Sequence, residues 1–552
     1  MENRKLILAI GLCVAVMIAW TKFFPVRAPT PAPIAQTAPA ATPEAVKPAA
    51  TGGPSAVAGA PAGTGAAITN RPEQKVELIT PDARFVFSSH GGTLVHAQLR
   101  SAKFLDRTND PSSGHDLVVQ GDPHDAALRT TFPDSGFPAP VDGSWEVRQP
   151  DPNTVVFATD SGSAHIEKRY VADSTRYRLH LDVTVSNRGA QPFGQHLTIG
   201  LSGRQDPEKR GGGFMSGSSA NTASLLCSED DKVERKPIDK LAKDPLASKQ
   251  AAVRWIASDE KFFILAAVPY PETPPMPRTC AASAAADGTG EVTLSFQERT
   301  VQPGATVHYA VAVYAGPKVI TDLEAVRPGG EEVELDKAVD VTLSFLSRPI
   351  LSLLKFFYSF AHNWGLAIIL LTLFIKLLTF YPTQKSLLSA KKMQKLAPKM
   401  NAIRKKYEND RQRQSVETMN LYKAHGVSPF GGCLPSLIQM PIWIALYSTL
   451  NYAVELYRAP FFAHIHDLTA KDPFYITPLL MGGVMFAQMR MSPSGADQQQ
   501  QQMMSMMMPI MFTGFSLFLP AGLALYMLTS YLIGILQQLY VNHLDRKGAA
   551  AV

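Results

Sequence analysis

Apolar residues follow three different rhythms along this chain. Near the start, Leu6–Thr21 carries no charge and lies between Arg4/Lys5 and Lys22. Trp20, Lys22, Phe23 and Phe24 stand where a small-residue cleavage site would fall, so residues 1–25 are expected to form an uncleaved transmembrane anchor. From about Arg71 the period becomes two. Tyr177, Leu179, Leu181, Val183 and Val185 share one face of a run, and Thr154–Ala158, Val292–Phe296 and Val307–Val313 are further short β-prone stretches. Residues 71–328 are therefore predicted to form a β-sandwich. Across 329–350 the spacing turns helical, with Leu335, Val339, Leu343, Leu346 and Ile350 on one stripe, which predicts an amphipathic helix lying along a membrane surface. The last third, 351–545, holds long apolar runs at 364–382, 433–454, 474–489, 506–519 and 522–540. Each reads as a membrane-spanning helix.

With the anchor, these runs predict six spans, that is, a polytopic α-helical membrane protein with a five-helix core and a large β-sandwich on the outer side. The third and fourth core runs would reach only about 21–24 Å, against about 30 Å of hydrocarbon, and should thin the bilayer locally.

Composition fixes orientation. Residues 28–70 contain fifteen Ala and eight Pro among 43 and no aromatic residue, so 26–70 reads as an extended tether without a core. Net charge is +6. The segment 383–429 alone carries eleven Lys/Arg against three Asp/Glu, or +8, which leaves −2 (6 − 8) for the rest. A short basic loop between apolar runs marks the cytoplasmic side. The loop Val454–Asp472, with two basic and three acidic residues, suits the outside. Both termini, including a short tail at 546–552, are then cytoplasmic and the sheet domain periplasmic. Met393, Leu396, Met400, Ile403 and Tyr407 repeat at the spacing of a helix–helix seam, predicting a hairpin within 383–429. Its cations, Lys391, Lys392, Lys395, Lys399, Arg404, Lys405 and Lys406, suit anionic headgroups or a polyanion such as ribosomal RNA. Cys13 and Cys433 fall in apolar runs as small hydrophobes. Cys227 and Cys280 lie in the polar domain, where an oxidising periplasm permits a disulfide; sequence alone leaves their pairing open.

The candidate chemistry centres on Lys376, inside the first core run. An ionisable residue there costs roughly 2.5–3.5 kcal/mol and usually faces a partner or a water-filled cavity; the plainer reading is a lysine that snorkels to the interface. Thr372 and Thr379 lie one turn either side, and Ser436, Gln439, Gln488, Thr513, Ser516, Tyr526, Thr529 and Ser530 come from other runs. Isolated hydroxyls in membrane helices mostly serve packing; around a lysine they line a hydrated cavity that opens inward. Met503, Met504, Met506, Met507, Met508 and Met511 crowd the fourth core run, a weak sign of an adaptable apolar surface. The sequence has no G-x-x-x-x-G-K-[ST], no H-E-x-x-H and no G-x-S-x-G. His464-Ile-His466-Asp467 is the one metal-like cluster, without further ligands nearby. No enzymatic activity and no cofactor are expected.

Asn363-Trp364-Gly365, the cation eleven positions after that glycine, Pro429-Phe-Gly-Gly-Cys-Leu-Pro435, Leu437-Ile-Gln-Met-Pro441, Ile465-His-Asp-Leu468, Asp472-Pro-Phe-Tyr475 and Leu523-Ala-Leu-Tyr526 occur in order across residues 351–540. Together they resemble the YidC/Oxa/Alb family of membrane protein insertases, specifically the Gram-negative type. The N-terminal half matches in plan, with Gly91-Gly92 before a strand. The resemblance implies a groove open to cytoplasm and lipid and closed to the periplasm, with Lys376, Thr372, Gln439, Tyr526, Ser436 and Thr513 as its polar residues. It implies insertion and folding of inner-membrane proteins, with nascent membrane proteins, the Sec translocon, the ribosome, the signal recognition particle receptor and the phospholipid bilayer as partners. The family's groove cation is usually arginine; lysine keeps the charge and loses the bidentate fork. Met527 stands where a second tyrosine is frequent. Two other readings compete. One is a small-molecule or ion transporter with Lys376 as coupling residue, although the internal repeat common in transporters is missing. The other is an anchored periplasmic scaffold, for which a single span would suffice.

Overall fold

This computed structural model describes residues 72–550 except 106–112, 119–125, 139–143, 174, 206–222, 231, 249–251, 286, 340–342, 409, 427–433, 463 and 492–497; at 411, 434–438, 498–504 and 544–550 it describes the backbone alone. The expected anchor and tether, 1–25 and 26–70, lie outside the described residues.

The two-residue rhythm builds sheets. Arg178–Asn187 buries Leu179, Leu181, Val183 and Val185 and turns the intervening residues outward. It lies within a nine-stranded antiparallel sheet that runs Glu146–Asp151, Thr154–Ser161, Ala164–Ala172, Arg178–Asn187, Thr306–Pro317, Phe263–Pro269, Val253–Asp259, Ser224–Glu229, Lys232–Pro237. A five-stranded sheet (Leu246–Ala247, Arg278–Ala284, Thr289–Phe296, Thr198–Arg204, Arg129–Thr131) packs on it. The two approach closely where Leu225 meets Gly203 and Gly290: a Cβ on either glycine would stand 3.2 or 3.1 Å from its methyls. Cys227 and Cys280, one from each sheet, form a disulfide with Cα atoms 6.5 Å apart. Trp255 fills the core and donates its indole N–H to the Val333 carbonyl at 3.0 Å.

Among the described residues eight helices follow: α1 (Ser344–Ala361), α2 (Trp364–Leu378), α3 (Phe380–Lys406), α4 (Arg411–Ala424), α5 (Leu434–Tyr452), α6 (Ile476–Met491), α7 (Gln498–Ser516) and α8 (Ala521–Ala550). Helix α8 is the hub, packed by α2, α5, α6 and the base of α3; α1 lies against α2 and α5, and α7 against α6. Ile368, Leu371, Leu446, Leu450, Met481, Leu523 and Tyr526 form the inner core. The outside is apolar too: Leu366, Leu370, Leu373, Phe374 and Leu377 on α2, Leu479 and Leu480 on α6, Met507, Ile510 and Met511 on α7, and Leu532, Leu536 and Leu539 on α8 are exposed. An apolar exterior of this extent suits lipid rather than water. Among the described residues one helix, within Ala521–His543, is long and apolar enough to cross a bilayer alone, and α2 with α3 forms a pair bent by 62°.

Four expectations need correction. The amphipathic helix is not at 329–350: it runs Ser344–Ala361, while Leu335 and Val339 belong to the apolar core of the sheet domain and Leu335–Ala338 is a 3-10 turn. The first core span does not continue to Pro382. Helix α2 stops at Leu378, and Pro382 sits in the first turn of α3, where its missing N–H costs nothing. The run 506–519 belongs to a longer helix that starts at Gln498, and the final span extends through most of the expected tail.

Candidate functional site

The motif Asn363-Trp364-Gly365 builds the entry to α2. Asn363 Oδ1 accepts from Leu366 N at 3.1 Å and caps the helix. Trp364 stacks on Tyr358 with ring centroids 4.0 Å apart. Gly365 lies under the Phe461 ring, where a Cβ would come within 2.0 Å.

Helix α2 then presents two faces. Gly365, Ile368, Leu371, Thr372 and Ile375 are buried, and Leu366, Leu370, Leu373, Phe374 and Leu377 are exposed. Lys376 falls between them, about 40° round the helix from Thr372, and is half-buried. Its ammonium makes no hydrogen bond or ion pair with any described residue. The neighbouring hydroxyls are internally satisfied: Thr372 donates to the Ile368 carbonyl at 2.7 Å and Thr379 to that of Ile375 at 2.8 Å. Helices α2 and α5 both pack on α8. On the latter two, Gln439 Nε2 donates to the hydroxyl of buried Tyr526. Thr513 belongs elsewhere: it donates to the Pro509 carbonyl at 2.6 Å, and its side chain fills the notch left by Gly482 between α6 and α7. Gln488 similarly lies over Gly534, where α6 crosses α8. The Ser436 side chain is outside the described residues.

The basic hairpin forms from α3 and α4. Leu396 and Met400 are buried in its seam, and Tyr422 donates to Met400 Sδ at 3.0 Å. Lys392, Lys395, Lys399, Lys405 and Lys406 are exposed, whereas Lys391 and Arg404 are half-buried. Lys391 donates to the Val541 carbonyl of α8 at 3.3 Å. The metal-like cluster is structural. His464 pairs with Asp472 at 3.3 Å, and Asp467 accepts from Thr469 N at 2.8 Å. Among the described residues no group of three or more His, Cys, Asp or Glu could hold a metal ion. Burial tends to raise the Asp472 pKa, but hydrogen bonds from Thr477, Phe474 and His464 leave it below the ordinary aspartate value.

Sequence reasoning missed three features: the Phe461 ring over Gly365, the fully buried Lys168 in the sheet domain, and the docking of residues 454–458 onto that domain. Only Lys168 left a signal, since it keeps the two-residue register of inward-facing Ile166 and Tyr170.

A sheet domain joined to helices that are apolar on both faces, with one cation on the seam between them, defines an integral membrane protein with a large extramembranous domain. The description "YidC periplasmic domain" matches residues 75–353, and "60Kd inner membrane protein" matches residues 356–548. The membrane protein insertase YidC of Anaeromyxobacter sp. (strain Fw109-5) is 36% identical over 483 residues, covering 85% of each chain. That of Syntrophus aciditrophicus (strain SB) is 33% identical over 563 residues, 98% of this chain and 99% of its own. A solved active YidC insertase with its first transmembrane domain resolved is 18% identical, with a TM-score of 0.34, over 84% of this chain and 92% of that one. The chain belongs to the YidC family of membrane protein insertases, and is thus an inner-membrane protein whose substrates are membrane proteins.

Proposed function

We propose that insertion runs through a water-filled, cytoplasm-facing groove along α2, α5 and α8, with Lys376 as its working charge and Thr372, Gln439, Tyr526 and Ser436 as polar residues in or beside it; Thr513, packed between α6 and α7, lies outside it. The observation that carries this reading is the half-buried Lys376 on the seam of α2, unpaired among the described residues. Lys376 lies in the last turn of α2, where a lysine can also snorkel to the interface; what favours the groove is Thr372 one turn back and the Gln439–Tyr526 hydrogen bond on helices that share the same hub.

In this mechanism no covalent chemistry occurs. Water in the groove shortens the hydrocarbon path that a translocated polar segment crosses. Lys376 attracts acidic residues of that segment, and short helices reduce the rest of the barrier: α2 has 15 residues and spans about 22 Å. The client's apolar helix then leaves sideways into lipid, driven by burial at about 25 cal/mol per Å². The topology that goes with it has six spans counting residues 1–25, both termini cytoplasmic and the sheet domain periplasmic. The basic hairpin faces the ribosome, lipid headgroups or the signal recognition particle receptor, and the Sec translocon works alongside for larger clients.

Purified protein in liposomes, given a small single-span client with an acidic tail and no nucleotide, tests this by protease protection of the tail. Wild type and Lys376→Arg are expected to insert, Lys376→Ala to lose most insertion, and Lys376→Glu all of it. Wild-type insertion by Lys376→Ala would overturn the role of the charge.

A further inference from the structure

The chain returns to the sheet domain long after leaving it. Beyond α5 the backbone makes a 3-10 turn, Val454–Leu456, and Val454 is buried in the sheet domain's own apolar core. The Tyr457 ring sits among three phenylalanines of that domain, with centroids 6.0 Å from Phe104, 5.1 Å from Phe262 and 5.3 Å from Phe263. Lys103 Nζ donates to the carbonyls of Val454 and Glu455, both at 2.9 Å. The Arg458 guanidinium donates to the Leu105 carbonyl and lies 5.2 Å from the Tyr457 ring centre. Arg458 holds φ at 51°, in the left-handed region that residues other than glycine seldom adopt. From α1, Lys355 pairs with Glu455 at 2.5 Å.

We infer that Tyr457 and Arg458 are positioning residues that latch the outer end of α5 to the sheet domain and so keep the groove shut on its outer side. An aromatic side chain enclosed by aromatic rings is the usual anchor of a specific interface. Here it is backed by hydrogen bonds to main-chain carbonyls, which fix position rather than merely exclude water. Helix α5 runs from near Gln439, whose hydrogen bond to Tyr526 ties it to α8, up to this loop, so releasing the loop would free the outer end of a helix that lines the proposed groove. Burial also lowers Lys103 and Lys261 to about 8, opposed by the charges of Glu455 and Asp467 for Lys103 and of Asp467 for Lys261, so both cations depend on the docked loop for compensation.

The inference rests on the groove described under Proposed function, and the test separates the two. A full-length chain with Cys13→Ser, Cys433→Ser and Lys376→Cys, in sealed vesicles of known orientation, is exposed to a membrane-impermeant maleimide from either side. With the latch intact, labelling is expected from the cytoplasmic side only. Adding Tyr457→Ala and Arg458→Ala should raise outer-side labelling about tenfold or more, and Tyr457→Phe with Arg458→Lys should bring it back down. Lys103→Met, which removes two hydrogen bonds and leaves both cores intact, should give an intermediate value while the sheet domain stays protease-resistant. Outer labelling unchanged in both the alanine and the methionine variants would overturn the latch alone. A cysteine at 376 that labels from neither side in the latched protein would remove the groove, and the latch's purpose with it.

Discussion

Lys168 is fully buried in the sheet domain, its amine donating to the carbonyls of Gly91 and Leu128 at 3.0 Å each, 5.7 Å from the ring centres of Trp145 and Tyr170. Tyr170 holds the adjoining Gly92 carbonyl at 2.7 Å. Gly92 itself has φ +55°, and a Cβ there would meet Phe157 at 2.9 Å, so the turn needs glycine. Burial lowers Lys168 from 10.5 to about 7. Between those two values the unfolded chain binds the extra proton and the folded one does not, so the stability of the domain rises with pH across that window and levels off below it. Lys168→Met removes this slope and strands two carbonyls, at a cost of about 1–3 kcal/mol. Melting curves of the full chain, followed by tryptophan fluorescence, should show the variant less stable at pH 9, with a smaller gap at pH 7. Sequence presented Gly91-Gly92 as a resemblance only; its reason is a lysine and a tyrosine more than seventy residues away. Lys376 was legible for the opposite reason, because a charge in an apolar run stands out in one dimension.

At the scale of elements, periodicity located the strands well. The run expected from Tyr177 is the strand Arg178–Asn187, and that expected at 307–313 lies within Thr306–Pro317. Tyr177 drops out because it sits at φ 61°, in the turn before the strand. Helix ends were poorly legible, because hydropathy carries no sign of a bend. The break between α2 and α3 falls at Thr379, whose hydroxyl and N–H both turn back to the Ile375 carbonyl, and the apolar run continues straight across it. The start of α2 can be tested directly. Asn363→Ala should cost about 1 kcal/mol through the lost cap. Gly365→Leu should cost about 1–3 kcal/mol by driving a side chain into the Phe461 ring. Thermal unfolding in detergent should rank wild type above the first and the first above the second; an unchanged melting temperature for Gly365→Leu would mean that Phe461 moves freely.

For the whole molecule, fold class was legible because two rhythms, period two and long apolar runs, separate the chain into two kinds of matter. How the parts join was not, since the contacts between them link positions about 350 apart, as between Lys103 and Val454. The disulfide illustrates the same limit. Cys227 and Cys280 are 53 residues apart in sequence and meet because two sheets stack. Replacing both by serine should lower the unfolding free energy of the sheet domain by roughly 2–4 kcal/mol. A melting temperature several degrees lower, with insertion at room temperature retained, is the expected outcome; loss of insertion would tie the domain's rigidity to the groove itself.

Helix α3 begins one residue beyond the bend, is held near its base by Gln537 Nε2 donating to the Phe380 carbonyl at 3.2 Å, and runs unbroken for 27 residues. Pro398 removes one rung of its hydrogen-bond ladder without ending it, and a helix about 40 Å long held at its base has the geometry of a lever: each degree of rotation at the base would sweep its tip through about 0.7 Å. The cations ride on the long arm, and Lys376 lies four residues before the fulcrum. On the proposed groove, a load on the tip would act beside Lys376 without touching it, and a client held there would in turn displace the tip.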